Sequence, residues 1–438
     1  MKRLLEEIGS KLRSGLLRRT FVYTFSASLN SLVAFLLLPV LTRYLTPYDY
    51  GVVETFLAAA ACLTGVVIVG GNTLLAKEYF GLINQERQDY IGNILGVTLI
   101  SGLGLMALFF IFSRFSEWLS GVLKISNTLI LIIIAVALAN AFTSMVLTLF
   151  QLERKAKSYA FFINSRSLVD ITISLVCVVA LGMNWQGRII GISATAMIFA
   201  LVALLVFYSE NVKIMFPSRY GKQILLLGAP LIIAHLTGWM NEMVGKIMIT
   251  GILNPESTGL YSIGYRFGMV VMMVETAFSL AWLPFFYEGI KDNSYSQNLK
   301  IVKVTYIYLI SLFLFAFIFG LGAKYLLFFM VAKNFYESSQ FIFLISMAYF
   351  FDGVWKTFIG YLIYQGKTKT YSNIVLIAAI INVGLNYILL KQVGLIGSAW
   401  ATLISFTVGA LLTVIMGIRC HPMPWTLRLE SSFSNNGL

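Results

Sequence analysis

The sequence predicts an all-α integral membrane protein with about twelve transmembrane helices in two parallel-repeat six-helix bundles. Composition, the placement of basic residues and an internal repeat support this fold class. Of the 438 residues, 58% are hydrophobic and 12% are charged, whereas soluble domains are about 45–50% apolar and about 25% charged. At about 20 apolar residues per span, the chain can cross a bilayer about a dozen times.

The apolar segments set the order of the elements. Residues 1–20 form a predicted cytoplasmic amphipathic segment, because Leu5, Ile8, Leu12 and Leu16 recur at helical spacing among basic residues. We expect an N-lobe of helices 1–6 over 21–208, a cytoplasmic inter-lobe loop over 209–222, a C-lobe of helices 7–12 over 223–418 and a cytoplasmic tail over 419–438. The predicted spans are 21–42, 52–75, 90–112, 127–151, 159–182, 189–208, 223–250, 259–286, 304–322, 338–364, 370–390 and 396–418.

The charge distribution predicts the topology and excludes several function classes. The net charge is +13, but the basic residues lie between apolar segments, so we expect no nucleic-acid partner. With the N-terminus in the cytoplasm, inner loops and tails carry roughly three times as many Lys and Arg as outer loops, which predicts both termini inside. The chain has no CxxC, HExxH, P-loop or GxSxG pattern. We therefore expect no enzyme, cofactor or metal site, and no disulfide framework from its three cysteines.

An internal repeat relates the two halves. LTPYDYG at 45–51 matches LNPESTG at 253–259, and Ile-Gly pairs begin the sixth and twelfth spans. Two copies of an even number of helices share one orientation, and such parallel repeats are typical of transporters with a substrate site between the halves near mid-membrane. A structural duplication without transport is the alternative.

Nine charged residues fall inside the predicted spans, and each costs about 2.5–3.5 kcal/mol at a lipid-facing helix centre. They must therefore be paired or face a watery cavity. Six form i,i+4 pairs that share a helix face, and these pairs either neutralise themselves or line a cavity. The nine residues are Arg166, Lys246, Arg266, Lys356, Glu54, Asp170, Glu242, Glu275 and Asp352, and the pairs are Arg166/Asp170, Glu242/Lys246 and Asp352/Lys356.

Helix 7 carries a polar stripe of His235, Trp239, Glu242 and Lys246 at 100° per residue. The stripe is either a proton site, because His titrates near neutrality, or a set of hydrogen-bonding packing residues.

On helix 8, Arg266 and Glu275 lie nine residues apart on opposite faces, so each needs a partner elsewhere. An arginine fork suits a pyrophosphate. Pro39 and Pro230 predict kinks in helices 1 and 7, or are ordinary tolerated membrane prolines.

The segments LLLPVLTRYLTPYDYGVVETF (36–56), QGKTKTYSNIVLIAAIINVGLNYILL (365–390) and VGLIGSAWATLIS (393–405) resemble the Wzx-type polysaccharide and O-antigen flippases. These belong to the multidrug/oligosaccharidyl-lipid/polysaccharide exporter superfamily. The resemblance implies V-shaped lobes around a central cavity in the bacterial inner membrane. It implies flipping of an undecaprenyl-pyrophosphate-linked oligosaccharide by alternating access, with ion antiport. Relatives that flip peptidoglycan precursor carry arginines on helices 1, 2 and 8, and here only Arg266 corresponds.

We therefore expect a lipid-linked oligosaccharide flippase. Its predicted anion-binding residues are Arg266, Arg166, Lys246 and Lys356, and its predicted H⁺ or Na⁺ coupling residues are Glu242, His235, Asp170, Asp352 and Glu275. A cation-coupled multidrug exporter of the same superfamily and a non-transporting scaffold for glycan synthesis are the alternatives. The resemblance implies a glycan polymerase and glycosyltransferases as partners.

Overall fold

The computed structural model describes residue 35 and residues 37–215, 220–292 and 294–426. Within these ranges every regular element is helical. The α-helices are α1 Leu38–Tyr44, α2 Pro47–Val67, α3 Gly71–Glu78, α4 Asn84–Ile111, α5 Ser113–Leu123, α6 Asn127–Leu152, α7 Ala156–Leu175, α8 Asn184–Ser209, α9 Gly221–Glu242, α10 Val244–Ile252, α11 Pro255–Gly268, α12 Val270–Asp292, α13 Tyr295–Met330, α14 Ser339–Tyr364, α15 Thr368–Gln392 and α16 Ile396–Cys420.

The lengths and hydropathy of these helices confirm the predicted fold class. In the described part of the chain, ten helices are long and apolar enough to cross a membrane, and Pro255–Ser279 with Trp282–Asp292 makes an eleventh if that bent pair is one span. In chain order these eleven correspond to predicted helices 2–12. Predicted helix 1 and the amphipathic segment 1–20 lie mostly or wholly outside the described residues.

Internal contacts divide the chain into two compact units. Unit 1 runs to Trp239 and also includes Asn254–Gly259, whereas unit 2 comprises Met240–Leu253 and Leu260 onwards. The core of unit 1 is formed mainly by α2, α3, α4, α6, α7 and α8, and the largest core of unit 2 by α10 to α16. The predicted boundaries of the lobes, loop and tails stay predictions.

The two copies of the repeat motif begin helices by the same chemistry. Thr46 caps α2: its Oγ1 accepts from the Asp49 amide at 3.2 Å, while Asp49 accepts from the Thr46 amide at 2.9 Å. At α11, the Asn254 carboxamide accepts from the Ser257 amide at 2.8 Å. Proline follows each cap, where its fixed φ suits the first helical turn. Each cap contributes about 1 kcal/mol to helix stability.

The glycine that ends each motif allows the two helix starts to cross inside unit 1. A Cβ on Gly51 would lie 1.6 Å from the carbonyl oxygen of Pro255, and a Cβ on Gly259 would lie 1.9 Å from that of Pro47. Equivalent residues of the repeat therefore meet each other reciprocally, and only glycine fits at either position. The repeat seen in the sequence is thus a packing motif.

Three of the predicted spans are interrupted, and one of them, 259–286, is divided at Met269 between α11 and α12. Span 52–75 ends at Val67, because Val69 and Gly70 adopt left-handed backbone conformations before α3 begins. Predicted helix 7 (223–250) is split at Met243 into α9 and α10, while α9 continues through Pro230. The predicted stripe on helix 7 is therefore not carried by one continuous helix, because the break at Met243 lies between Glu242 and Lys246.

Residues 421–426 fold back against unit 2. Met423 and Trp425 pack with a buried cluster that includes Phe358 and Tyr361, and the Tyr306 hydroxyl donates to the Trp425 carbonyl at 2.9 Å. His421 is 8% exposed, and its Nδ1 lies 3.1 Å from Nε2 of Gln365. The buried Nε2 of His421 has no hydrogen-bond partner among the described residues.

Low pH is expected to release this segment. Burial lowers the pKa of His421 from its usual 6.5, so the folded segment prefers the neutral ring. Its stabilisation is complete above the unfolded value and is lost as the pH falls below about 6.5. Hydrogen exchange of residues 421–426, corrected for intrinsic rates, should rise from pH 7.5 to pH 5.5 by up to about tenfold, the limit for one ring that is protonated only in the open state. His421→Gln should flatten this dependence; an unchanged slope would contradict the role of His421.

Candidate functional site

Unit 1 contains a partly buried arginine–aspartate pair between α7 and α8. Nη1 of Arg188 lies 2.7 Å from Oδ1 of Asp170 and also donates to Oγ of Ser174. The two side chains are 14% and 25% exposed. Gly191 makes this possible, because a Cβ there would lie 2.1 Å from Oγ of Ser174, so the two helix backbones approach closely.

Arg166 takes a different partner from the predicted one. Its Nη2 donates to Oδ1 of Asn140, on α6, at 2.6 Å. The predicted ion pair between Arg166 and Asp170 is therefore wrong, since Arg188 occupies the carboxylate. Asp170 still contributes a favourable charge interaction to Arg166, so the three charged groups form one centre, which we call the unit 1 centre: Arg166, Asp170 and Arg188.

The sequence reasoning missed Arg188 by placing it in the loop before a span at 189–208. Helix α8 begins at Asn184 instead, so Arg188 lies in its second turn. One sequence signal could have placed Arg188 in the helix. No proline and no further run of polar residues separates Asn184 from the apolar segment, so the helix can begin there. An arginine next to the predicted start of a span should therefore be considered as a possible residue of that helix.

Unit 2 contains a triad of two carboxylates and one lysine, which we call the unit 2 centre. Nζ of Lys356 lies 2.7 Å from Oδ2 of Asp352, one turn earlier on α14. It also lies 3.1 Å from Oε1 of Glu275 on α12. The predicted Asp352/Lys356 pair is thus confirmed, and Glu275, for which the sequence indicated no partner, shares the same ammonium.

Glu275 is the most enclosed member of the unit 2 centre. Its side chain is 1% exposed, whereas that of Lys356 is 44% exposed. The hydroxyl of Tyr308 is buried without a hydrogen-bond partner among the described residues. Gly353 makes room for both side chains, because a Cβ there would lie 3.1 Å from Cγ of Glu275 and 3.2 Å from the Tyr308 hydroxyl.

The remaining predicted residues lie on helices other than those that carry the two centres. Lys246 on α10 is 8% exposed, and its ammonium lies 5.5 Å from the centroid of the Tyr265 ring, within cation–π range. Glu242 is the exposed last residue of α9, and Arg266 on α11 is half-buried. Glu54 is 2% exposed in α2, so it is an interior residue.

The start of the helix 7 stripe packs on α2 within unit 1. Nε1 of Trp239 donates to the carbonyl of Ala58 at 2.9 Å, and Nε2 of His235 lies 3.3 Å from the carbonyl of Ala61. A Cβ on Gly65 would lie within 2.0 Å of the His235 ring. These contacts favour the hydrogen-bonding packing alternative for His235 over a proton site.

The two centres differ in net charge when all their groups are ionised. The unit 1 centre has two guanidinium groups and one carboxylate, and the unit 2 centre has one ammonium and two carboxylates. Arg188 uses only Nη1 in its contacts with described residues, so further donors of its five are left for an anion. Among the described residues, no group of three or more His, Cys, Asp or Glu side chains is placed to hold a metal ion.

Comparisons with known proteins give the family and the fold. Residues 16–289 match the family of polysaccharide biosynthesis proteins. Protein 1 of the Lsg locus of Haemophilus influenzae is 23% identical over 381 residues, which cover 83% of this chain and 88% of the relative.

Two solved structures share the fold at low sequence identity. Lipid II flippase MurJ in an inward closed conformation has a TM-score of 0.70 at 15% identity, over 91% of this chain and 87% of that chain. An inward-facing MATE-family multidrug resistance transporter of the MOP superfamily has a TM-score of 0.65 at 15% identity, over 89% and 94%. The chain is therefore a member of the polysaccharide biosynthesis protein family, a multi-pass membrane protein with the transporter fold that MurJ and the MATE proteins share.

Proposed function

We propose that the chain is a flippase that moves an undecaprenyl-pyrophosphate-linked oligosaccharide across the bacterial inner membrane by ion-coupled alternating access. Both termini lie in the cytoplasm in this proposal, and a glycan polymerase and glycosyltransferases act with it. Membership of a polysaccharide biosynthesis family supports a glycan substrate, and the fold shared with a lipid II flippase supports a lipid-linked one.

The observation that carries the proposal is the excess of positive charge among the partly buried side chains between α6, α7 and α8 of unit 1. Asp170 pairs with Arg188 there, whereas Arg166 donates to the neutral Asn140 carboxamide, although burying a charge without a counter-charge is costly. An anionic ligand removes this cost while it is bound. Guanidinium groups are suited to pyrophosphate and carboxylate oxygens because their planar N–H groups match paired acceptors. Arg166 and Arg188 are therefore the proposed anion ligands in unit 1, with Arg266 and Lys246 in unit 2.

The same geometry divides the other predicted roles. Asp170 was predicted to couple ions, and we now assign it to holding Arg188 in place, since the two groups neutralise each other. Lys356 was predicted to bind the anionic substrate, and we now assign it to the coupling centre, because two carboxylates surround its ammonium. Asp352 and Glu275 leave one negative charge in excess, so one H⁺ or Na⁺ would neutralise the unit 2 centre. Glu242 stays a second coupling candidate.

The test is reconstitution of the purified protein in liposomes with a fluorescent undecaprenyl-pyrophosphate oligosaccharide. The measurement is the rate at which label reaches the opposite leaflet, with and without a proton or sodium gradient. Wild type is expected to accelerate translocation. Arg166→Ala should slow it at least tenfold, because losing one charge-assisted hydrogen bond of about 1.5–3 kcal/mol lowers the rate by about this factor. Glu275→Gln should remove the response to the gradient.

Matched variants separate these roles from a general loss of positive charge. Lys391→Gln removes an exposed lysine that pairs with Tyr387 at the end of α15, and it should leave translocation unchanged. Full activity of correctly inserted Arg166→Ala and Arg266→Ala variants would contradict the anion sites. Export of cationic dyes without lipid translocation would identify a multidrug exporter, and no transport of either substrate beside an active control flippase would favour a scaffold.

A further inference from the structure

An open cavity in unit 1 combines an apolar wall with one cation at its end. It has a volume of about 650 Å³ and is formed mainly by exposed side chains at the C-terminal end of α8, the start of the following segment and one residue of α4. The lining residues are Leu95, Leu201, Leu204, Leu205, Phe207, Tyr208, Val212, Lys213 and Ile214. Nearly all the lining is hydrocarbon, and Lys213 supplies its charge.

The end of α8 directs the chain so that Lys213 lies at this cavity. The amide of Asn211 donates to the carbonyl of Tyr208 at 3.0 Å, and the amide of Val212 donates to that of Phe207 at 2.9 Å. Asn211 has a φ of 58°, which asparagine tolerates better than most residues. This is a Schellman ending, and it ends the helix and turns the chain immediately after the candidate span.

The segment that carries Lys213 is held against α4 by backbone contacts. The Met215 amide donates to the Gly92 carbonyl at 3.0 Å, and the Gln88 carboxamide donates to the Glu210 carbonyl at 2.9 Å. A Cβ on Gly92 would lie only 2.2 Å from the carbonyl oxygen of Lys213. The lysine backbone is therefore fixed by neighbours, while its side chain stays exposed.

The order of chemistry along the cavity matches a phospholipid. The apolar wall from Leu201 to Tyr208 lies within the span that ends at Ser209, and Lys213 follows four residues later. Hydrocarbon within the span and a cation just beyond it correspond to an acyl chain and an anionic headgroup. Tyr208 is 74% exposed at the same boundary, where aromatic rings are enriched in membrane proteins.

We propose that this cavity binds one anionic phospholipid, with an acyl chain against Leu201 and Leu205 and the headgroup phosphate on Lys213. None of the predicted site residues lines it, so the lipid is distinct from the transported substrate. Lys213 selects for an anionic headgroup. The backbone contacts of its segment keep this lysine at the end of the cavity.

Native mass spectrometry of the full-length protein, stripped of lipid and titrated with phosphatidylglycerol or phosphatidylcholine, tests the site. The first phosphatidylglycerol should bind more tightly than the first phosphatidylcholine. Lys213→Gln should weaken phosphatidylglycerol about fivefold, the factor that corresponds to about 1 kcal/mol for one lysine near an anionic surface. It should leave phosphatidylcholine unchanged, and Lys213→Arg should retain the wild-type preference.

Two further variants test the cavity itself. Leu205→Trp fills it and should weaken both lipids, whereas Ile190→Trp, at an exposed position on α8 outside the cavity, should weaken neither. Equal binding of the two lipids to wild type, or no effect of Lys213→Gln, would overturn the proposal. Uncharged undecaprenol binding as tightly as phosphatidylglycerol, and indifferent to Lys213→Gln, would overturn it in favour of a polyprenyl site.

Discussion

Lys356→Met is expected to destabilise unit 2 by about 3 kcal/mol, because it leaves Glu275 and Asp352 facing each other without their shared cation. The value lies at the lower end of the range for broken buried pairs because the lysine side chain is 44% exposed, although Glu275 is only 1% exposed. Unfolding of the purified protein by denaturant in one detergent, followed by loss of helical circular dichroism, measures the change.

The double variant Lys356→Met/Glu275→Gln removes the excess negative charge together with the lysine. It should recover at least half of the lost stability, since the carboxamide can be buried at a smaller cost than an unpaired carboxylate. Lys356→Arg keeps the cation and serves as the control. A double variant no more stable than Lys356→Met would contradict the shared pairing of Glu275 and Asp352.

The second large effect is expected at the crossing of the repeat motifs. Gly51→Ala would place a Cβ 1.6 Å from the Pro255 carbonyl oxygen, so the two helix starts must separate. We expect a loss of about 3 kcal/mol, at the upper end of the cost of overpacking, because the obstructing atoms are backbone. Thermal unfolding in detergent should show it, and Gly259→Ala should show a similar loss.

Gly322→Ala is the matched control for this crossing. Gly322 lies within α13, and a Cβ there would meet no atom within 4 Å. Alanine is favoured over glycine in a helix by about 0.5–1 kcal/mol, so this variant should be at least as stable as wild type. Equal stability of Gly51→Ala and wild type would show that the crossing is not tight.

The spans were predictable because a helix needs about 20 mostly apolar residues to cross a bilayer, and such segments can be recognised in the sequence alone. Eleven predicted spans, the second to the twelfth, have counterparts among the described helices. The interruptions at Val69 and Met243 were not predictable, because each depends on the backbone of one or two residues that keep the apolar pattern intact. Pro230, the residue that did suggest an interruption, lies inside a continuous helix.

The charged sites were predictable only where both partners lie on one helix. Spacing alone indicated Asp352/Lys356, and the structure pairs them. The same spacing failed for Arg166/Asp170, because Arg188 on the next helix competes for the carboxylate. Glu275 and Lys356 lie far apart in the chain, and one sequence holds no pattern that relates them. Partners across helices depend on tertiary packing, which periodicity does not report.

The shared lysine of the unit 2 centre has a consequence for biogenesis. Glu275 is synthesised and enters the membrane with α12, well before Lys356 exists, whereas Asp352 and Lys356 arrive together on α14. Until α14 is inserted, α12 carries an acidic group without its counter-ion, so it is unstable as an independent segment in lipid. We therefore expect α12 to remain beside the translocation machinery, or to enter the bilayer with Glu275 protonated, until translation reaches α14.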